Sequence, residues 1–209
     1  MLVTIHEQII HKALDGICSP HAQEIIIAAN IRQDELRNQV GHDEFHFDNN
    51  AFDKSNAYIK QQSALAVSIM ERGETEGAWQ AYGRLSHSAQ DFYSHTNYVE
   101  LWLERRKKDG VPAAKEIDPL DPELINSPAL RSGKLYYPLE ALSFIPALKK
   151  FVIPLLPHDS HAWMNLDSAE RGPLFEYAYQ AAVKRTKYEF ELIEKKLSPE
   201  NLKLFQDLQ

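Results

Sequence analysis

Apolar residues recur at helical spacing along most of the chain, and capping or breaking residues divide the recurrences into a series of helices. Ile9, Ile10, Ala13 and Leu14 form the first apolar face, opened by a capping box at Thr4-Ile5-His6-Glu7 and closed by Asp15-Gly16. Ser19-Pro20, a capping hydroxyl before a proline at the first helical position, starts a second helix, and its Ile25-Ile26-Ile27-Ala28-Ala29 run predicts deep burial. A third helix runs from Ser55 through Ile59, Ala64, Leu65, Val67, Ile69 and Met70 to Gly73, and reads as core scaffold because it carries no ligand-type side chain at a telling spacing. A fourth spans 74–96 and a fifth 98–108. Eight of the eleven prolines then fall between 112 and 157, which breaks the helical period and marks an insertion of loops and short helices. The period resumes from about 173 to 196, and Ser198-Pro199 caps a tail helix over 200–208. The pattern predicts an all-α multi-helix bundle in a single domain over 1–209, with an irregular proline-rich insertion at 112–157.

Two stretches depart from that pattern. Residues 39–50 are rich in Gly, His, Asp and Asn, and an extended chain there would turn His46 and Asp48 one way while Phe45 and Phe47 pack the other. Within the insertion, Leu135-Tyr136-Tyr137-Pro138-Leu139, Phe144-Ile145-Pro146-Ala147-Leu148 and 151–156 are strongly apolar. They could line a pocket for acyl chains or touch a membrane surface; equally, they could cover the core of the bundle.

Composition narrows the classes. With 209 residues, 44% of them apolar, the chain can bury a sizeable core. A net charge of −7 is opposite to what a nucleic-acid-coating protein needs, because that affinity comes from neutralising phosphates; a nuclease with metal-borne positive charge stays open. Cys18 is the single cysteine, so it can form neither an internal disulfide nor a thiolate zinc site, and it reads as a small packing group. Residues 1–6 have neither the basic start nor the apolar run of a signal peptide, and no segment reaches the roughly 20 apolar residues of a membrane span, so the sequence predicts a cytoplasmic protein. The basic run Arg105-Arg106-Lys107-Lys108 sits where cations complement a helix C-terminus.

The chemistry concentrates in the fourth helix, at Gly83-Arg84-Leu85-Ser86-His87-Ser88-Ala89-Gln90-Asp91-Phe92-Tyr93-Ser94-His95-Thr96-Asn97. His87, Asp91 and His95 stand one helical pitch apart and project from one stripe. A lone helical histidine is ordinarily a surface group or a satisfied core group. Here a carboxylate lies between two histidines on a helix whose Trp79, Tyr82, Leu85, Ala89, Phe92 and Tyr93 predict burial nearly all round, and unpaired burial of all three would be costly. The stripe therefore points to metal ligation, and zinc accepts imidazole and carboxylate where thiolates are absent.

Asp91-Phe92-Tyr93-Ser94-His95, followed by Asn97 and Val99-Glu100-Leu101 and preceded by Gly83-Arg84-Leu85 and His87, resembles the signature helix of the Het-C-like branch of the zinc-dependent phospholipase C and nuclease superfamily. The resemblance implies an all-helical bundle holding two or three zinc ions, and cleavage of phosphodiesters in phospholipids or single-stranded nucleic acids; many Het-C-like members have no established reaction. It also implies ligands outside this helix. His6 stands in the place of an early histidine that shares a zinc with the amine of the first residue, here Met1 where the relatives usually carry tryptophan. Asp34 closes the second helix as a ligand would, although on the residues alone it is equally a solvated acid beside Arg32 and Arg37. His46 of His46-Phe47-Asp48 matches a ligand, Asp48 would hold an imidazole or water in place, and His42 and Asp43 stand in reserve. His161 matches the histidine of the last site, with Asn165 where the relatives have an acid.

Three centres are thus expected: His46, His87, Asp91 and Asp34; His95, His161 and Asn165; and His6 with Asp91 and Met1. The implied function is a zinc-dependent, phospholipase C-like phosphodiester hydrolase with Asp34 and Asp91 as its catalytic carboxylates. The acidic chain and the apolar insertion favour phospholipid over nucleic acid, with peripheral membrane contact. A nuclease, or a non-catalytic metal-stabilised module, is the alternative reading, and Asn165 and Met1 favour the module.

Overall fold

The computed structural model describes residues 1–39, 41–107 and 110–208. The helices are α1 (Val3–Leu14), α2 (Pro20–Ile31), α3 (Leu36–Gln39), α4 (Asp43–His46), α5 (Phe52–Met70), α6 (Thr75–His95), α7 (Tyr98–Arg106), α8 (Pro122–Ile125), α9 (Pro146–Val152), α10 (His161–Met164), α11 (Leu174–Glu194) and α12 (Pro199–Gln206). Among the described residues there is no strand, only isolated bridges at Thr96–Ser132 and Lys134–Ser160. The architecture is all-α, as the periodicity predicts.

Some helix ends differ from the sequence reading. Helix α1 starts at Val3 with Leu2 as its cap, so Thr4 and Glu7 already lie inside the helix and the predicted capping box is not made. Helix α5 starts at Phe52, three residues before Ser55, whose side chain is buried in the helix instead of capping it. Ser19 and Ser198 do cap, accepting hydrogen bonds from the amides of Ala22 and Asn201. Arg105 at the end of α7 pairs with Asp121 and Glu123, and Arg106 lies over the Trp102 ring at 4.2 Å; Lys108 lies outside the described residues.

Helix α6 is the axis of the bundle. It packs against α2, α5 and α11, while α1 spans α2 and α11. From Ala81 to His95 every residue except Arg84 is buried, which is what an apolar surface interrupted by one polar stripe requires. Gly83 makes the α2 crossing possible: a Cβ there would stand 2.8 Å from Ala29 Cβ and closer still to the Ile26 carbonyl oxygen. This contact brings the C-terminal end of α2, and with it Asn30 and Asp34, against the polar stripe.

The insertion divides. Ile117 and Leu124 join the main core, but Val152, Leu156 and Ala162 form a separate small cluster with Tyr136 and Ile153 packed on it. The apolar stretches from 135 onward therefore build their own core next to the bundle. Glu140 fastens this unit: its fully buried carboxylate accepts the amides of Tyr136 and Ala162, both at 2.7 Å. No helix among the described residues is long and apolar enough to cross a membrane.

Candidate metal centre

His87 and Asp91 leave α6 one turn apart, and His46 at the end of α4 reaches the same point. Asp91 Oδ2 lies 3.0 Å from His87 Nε2 and 3.0 Å from His46 Nδ1, and the two ring nitrogens are 3.1 Å apart. Asp34, in the turn after α2, places Oδ1 3.7 Å from His87 Nε2. Asp34, His46, His87 and Asp91 can each offer one ligand atom, all within 4.8 Å of one another. A tetrahedral zinc site with bonds of about 2.0–2.1 Å has ligand-to-ligand edges of roughly 3.4 Å, so these spacings are close to what such an ion needs.

The other carboxylate oxygen of Asp91 faces different partners. Oδ1 is 3.3 Å from His6 Nε2 and 2.6 Å from the Met1 amine, while His6 Nε2 is also 3.9 Å from Asp34 Oδ2. A second group collects Asp48, His95 and His161. Asp48 Oδ1 lies 2.9 Å from His161 Nδ1 and 3.6 Å from His95 Nδ1. Asp48, expected only to hold an imidazole in place, does so for His161 and is itself near enough to be a ligand.

The turn that aims Asp48 is not the extended strand the sequence suggested. His46 ends a short helix, and Phe47, Asn49 and Asn50 all adopt left-handed backbone conformations, with φ of 57°, 52° and 56°. A bulky residue in that region is strained by roughly 1–3 kcal/mol. The turn is held from outside. Phe47 packs on Phe52 and Phe92, the Asn49 amide donates to the Gly133 carbonyl, and the Asn50 amide donates to Ser132 Oγ.

The segment around Gly133 is the hub of the second group. The Gly133 amide donates to the His95 carbonyl, and the His161 amide to the Lys134 carbonyl, each at 2.9 Å. A Cβ on Gly133 would lie 2.6 Å from His161 Cα, so only glycine lets the strip pass this close.

Buried amides and carbonyls orient the rings. Gln90 Oε1 accepts from Asn30 Nδ2 and lies 2.6 Å from His6 Nδ1, so that nitrogen carries the proton and Nε2 presents a lone pair. Asn30 Oδ1 treats His87 Nδ1 the same way at 3.3 Å, and the His46 carbonyl treats His95 Nδ1 likewise at 2.8 Å. In neutral form all three rings thus turn Nε2 towards the carboxylates, the arrangement in which a second polar partner fixes a metal-binding tautomer. The sequence reading gave neither Asn30 nor Gln90 a role. The available signal was their place on the buried faces that carry His87 and Asp91, where an amide must find a partner.

Burial alone would keep the Asp91 carboxyl protonated, but the amine and the imidazoles of His95, His87 and His6 outweigh it and hold the group well below the usual carboxylate range. Asp48 is likewise lowered, against its burial, by His161 and His95. Burial drives His87 down to about 4 despite Asp91, so this ring is neutral. For His161 burial is outweighed by Asp48, and its pKa rises to about 9. His46 is also raised, since the Asp91 hydrogen bond overcomes desolvation. The Met1 amine goes up to about 11, desolvation being exceeded by Asp91 and Asp167, and burial takes the Cys18 thiol to about 12.

Three ligand-type atoms, His6 Nε2, His46 Nε2 and Asp34 Oδ2, are buried without a hydrogen-bond partner. Such orphans are rare and costly in proteins. Together with the spacing of the four-residue group, they fit a bound cation.

The groups open into a pocket of about 540 Å³, whose walls include Asp34, His46, Asp48, His95, His161 and Asp167 together with Tyr137, Lys149 and Ile153 from the insertion. Asn165, expected beside His95 and His161, lines this pocket but turns its amide nitrogen back to the Ala162 carbonyl at 3.5 Å. Helix α10 ends at Met164, and although the Asn165 amide still donates to the His161 carbonyl at 3.0 Å, the extended ψ of Asn165 turns the chain away after it. The chain returns instead through Leu166, whose amide donates to the Ser94 carbonyl, and delivers Asp167. Asp167 Oδ1 accepts from Ser94 Oγ at 2.6 Å and lies 3.4 Å from His95 Nε2 and from the Met1 amine. The reserve candidates stay apart: His42 stacks on Phe45 and meets Glu44, and Asp43 begins α4. Arg37 pairs with Glu35, leaving Asp34 to the histidines.

Neither the curated proteins nor the solved structures contain a match to the chain. Residues 11–123 match the family model described as VWA7 N-terminal domain, a span that holds Asp34, His46, Asp48, His87, Asp91 and His95 and stops before His161 and Asp167. The chain belongs to the VWA7 N-terminal domain family.

Proposed function

We propose that the chain is a zinc-dependent phosphodiester hydrolase of phospholipase C-like type. The observation that carries this reading is Asp91, a fully buried carboxylate within 3.3 Å of His6, His46 and His87 beside orphaned ligand atoms. A second His/Asp group stands beside it, and both open on one pocket.

In this reading Asp34, His46, His87 and Asp91 hold one zinc, while His95, His161, Asp48 and Asp167 hold another; His6 and the Met1 amine, which also meets Asp91, supply a third position. Zinc there would bring the pKa of a bound water towards neutrality and offset charge on phosphoryl oxygens. Asp34 is the most exposed member of its group, with its side chain 21% accessible. It is placed to orient the attacking water. Asp91 offsets the charge gathered by the histidines, and Gln90 and Asn30 keep the rings from turning. Lys149 and Tyr137 line the pocket and would supply a cation and a hydroxyl donor for a phosphate oxygen. The acidic chain and the apolar wall favour a phospholipid diester over a nucleic acid.

The test is elemental analysis of untagged protein followed by turnover of a chromogenic phosphodiester. Stoichiometric zinc is expected, with turnover removed by a chelator, restored by zinc and absent in Asp91→Asn. A fully loaded protein inert on chromogenic, lipid and nucleotide diesters would establish the second reading, a metal-stabilised interaction module.

A further inference from the structure

Fourteen large apolar side chains are exposed among the described residues, and eight of them fall between Tyr137 and Trp163. That is far too many for chance in a segment of this length, and they do not lack a core to join. Val152 and Leu156 turn inward to the small cluster with Ala162, while Leu148, Phe151 and Leu155 turn outward, with Phe151 64% and Leu155 70% exposed. Leu142 and Ile145 extend the outward face, so the segment is apolar on both sides. A solvent-facing helix would carry polar residues at these positions.

The charges point to what covers this face. Between 137 and 163 the charged residues are Glu140, Lys149, Lys150 and Asp159, and Asp159 is paired with Lys134 at 2.8 Å. Glu140 is fully buried and spent on backbone amides, which leaves the two exposed lysines as the face's outward charge on a chain of net −7. Lys150 Nζ sits 5.0 Å from the centre of the Phe151 ring. Large aliphatic and aromatic tips beside lysines with flexible stems match the boundary of an anionic bilayer, where the tips enter the acyl region and the amines meet headgroups. The face also adjoins the pocket mouth, which Tyr137, Lys149 and Ile153 line from the insertion and Leu2 and Val3, both exposed, from α1 and its cap.

We propose that the outward face of 137–163 docks the protein on anionic lipid bilayers, with Leu148, Phe151 and Leu155 entering the membrane and Lys149 and Lys150 meeting headgroups. Docking is separate from hydrolysis and stands or fails without turnover. The test is co-sedimentation of the full chain, with and without zinc, on vesicles of phosphatidylcholine alone or mixed with phosphatidylglycerol. Trp163 reports contact, because it is 39% exposed whereas Trp79 and Trp102 are buried.

The wild type is expected to partition onto the mixed vesicles with a blue shift of its emission, and more weakly as salt is raised. Phe151→Glu with Leu155→Glu should weaken partitioning at least about tenfold, since both side chains lose their burial in the acyl region. Lys149→Glu with Lys150→Glu should remove the preference for phosphatidylglycerol. Leu204→Glu, at an exposed leucine on α12, should change nothing. The proposal is overturned if the wild type stays in the supernatant, or if the Phe151/Leu155 variant binds as well as wild type. Light scattering that shows a dimer dispersed by that same variant overturns it too, and assigns the face to a second copy of the chain.

Discussion

Asp34, His46, His87 and Asp91 hang on or beside helices that cross at Gly83, whereas Asp48, His95, His161 and Asp167 converge through turns tied to the strip around Gly133. In the first group His87 is oriented by a side-chain amide, that of Asn30, and Gln90 holds the neighbouring His6 in the same way from inside the helix packing. The second group is set largely by main-chain groups: the His46 carbonyl holds His95, and the Lys134 carbonyl accepts the His161 amide. Rigid elements locate a site at little extra cost, while turns need bonds from elsewhere to stay in place. The first group should therefore be the harder to disturb at a distance, and the second the more sensitive to its scaffold.

The largest expected effect breaks the first group together with the His6 and amine side of Asp91. Asp91→Asn removes the charge that faces His46, His87, His6 and the amine, and it should cost about 3–5 kcal/mol, as removal of one partner from a buried ion pair does. Denaturant unfolding and zinc analysis check it. A variant within about 1 kcal/mol of wild type that still holds full zinc would mean Asp91 is not the common centre.

Acidity separates the groups. In chelated protein His161, with a folded pKa of about 9 against an ordinary 6.5, contributes stability that is fully present below pH 6.5 and is lost as pH rises through 9. The advantage of wild type over His161→Asn should shrink by roughly 3 kcal/mol between pH 6 and pH 10. His87, held neutral with a folded pKa of about 4, acts in the opposite sense: stability falls as pH drops from 6.5 to 4, and His87→Asn should lessen that fall. Unfolding curves across these windows decide the matter, and a wild type and His161→Asn difference that does not change with pH would remove the Asp48 pairing.

Gly133→Ala tests the scaffold of the second group alone. A methyl 2.6 Å from His161 Cα must push the strip or the histidine aside, at a cost of about 1–3 kcal/mol. Chelator titration of zinc-loaded wild type should strip metal in two phases, the weaker from the second group, and in the Gly133→Ala variant the weaker phase should be released earlier with the tighter phase in place. Loss of both phases together would show that the groups are not separately built.

The smallest effect is expected at Asn165. Its amide faces the Ala162 carbonyl, so Asn165→Asp should shift stability by no more than about 0.5 kcal/mol and leave the chelator curve unchanged. A tighter weak phase in that variant would return residue 165 to the ligand set and displace Asp167.

These contrasts match what the sequence could and could not disclose. The stripe His87, Asp91, His95 was legible because helical spacing alone puts i, i+4 and i+8 together, and the buried flanks showed that the stripe needed a partner. The helices of the bundle were legible for the same reason, to within a few residues at their ends. Asp167 was not, because its position depends on the chain leaving the helix at Met164 and on a bond from Ser94, neither of which has a local signature. The left-handed turn at Phe47 was also hidden. Nothing in His46-Phe47-Asp48 asks for it, and the strain is tolerated only because Phe52, Phe92 and the 132–133 strip enclose it. Glycine at 133 is explained by one non-local contact with His161.

The divided loyalty of Asp91 has a thermodynamic consequence. Its Oδ2 serves His46 and His87 while its Oδ1 serves His6 and the amine, through one delocalised charge. Any cation that draws on one oxygen leaves less negative charge for the other, so occupancy on one side must alter affinity on the other, and by the same factor in both directions. Loading curves for the two sides are then reciprocal, and a binding constant measured at either has meaning only when the state of its neighbour is specified.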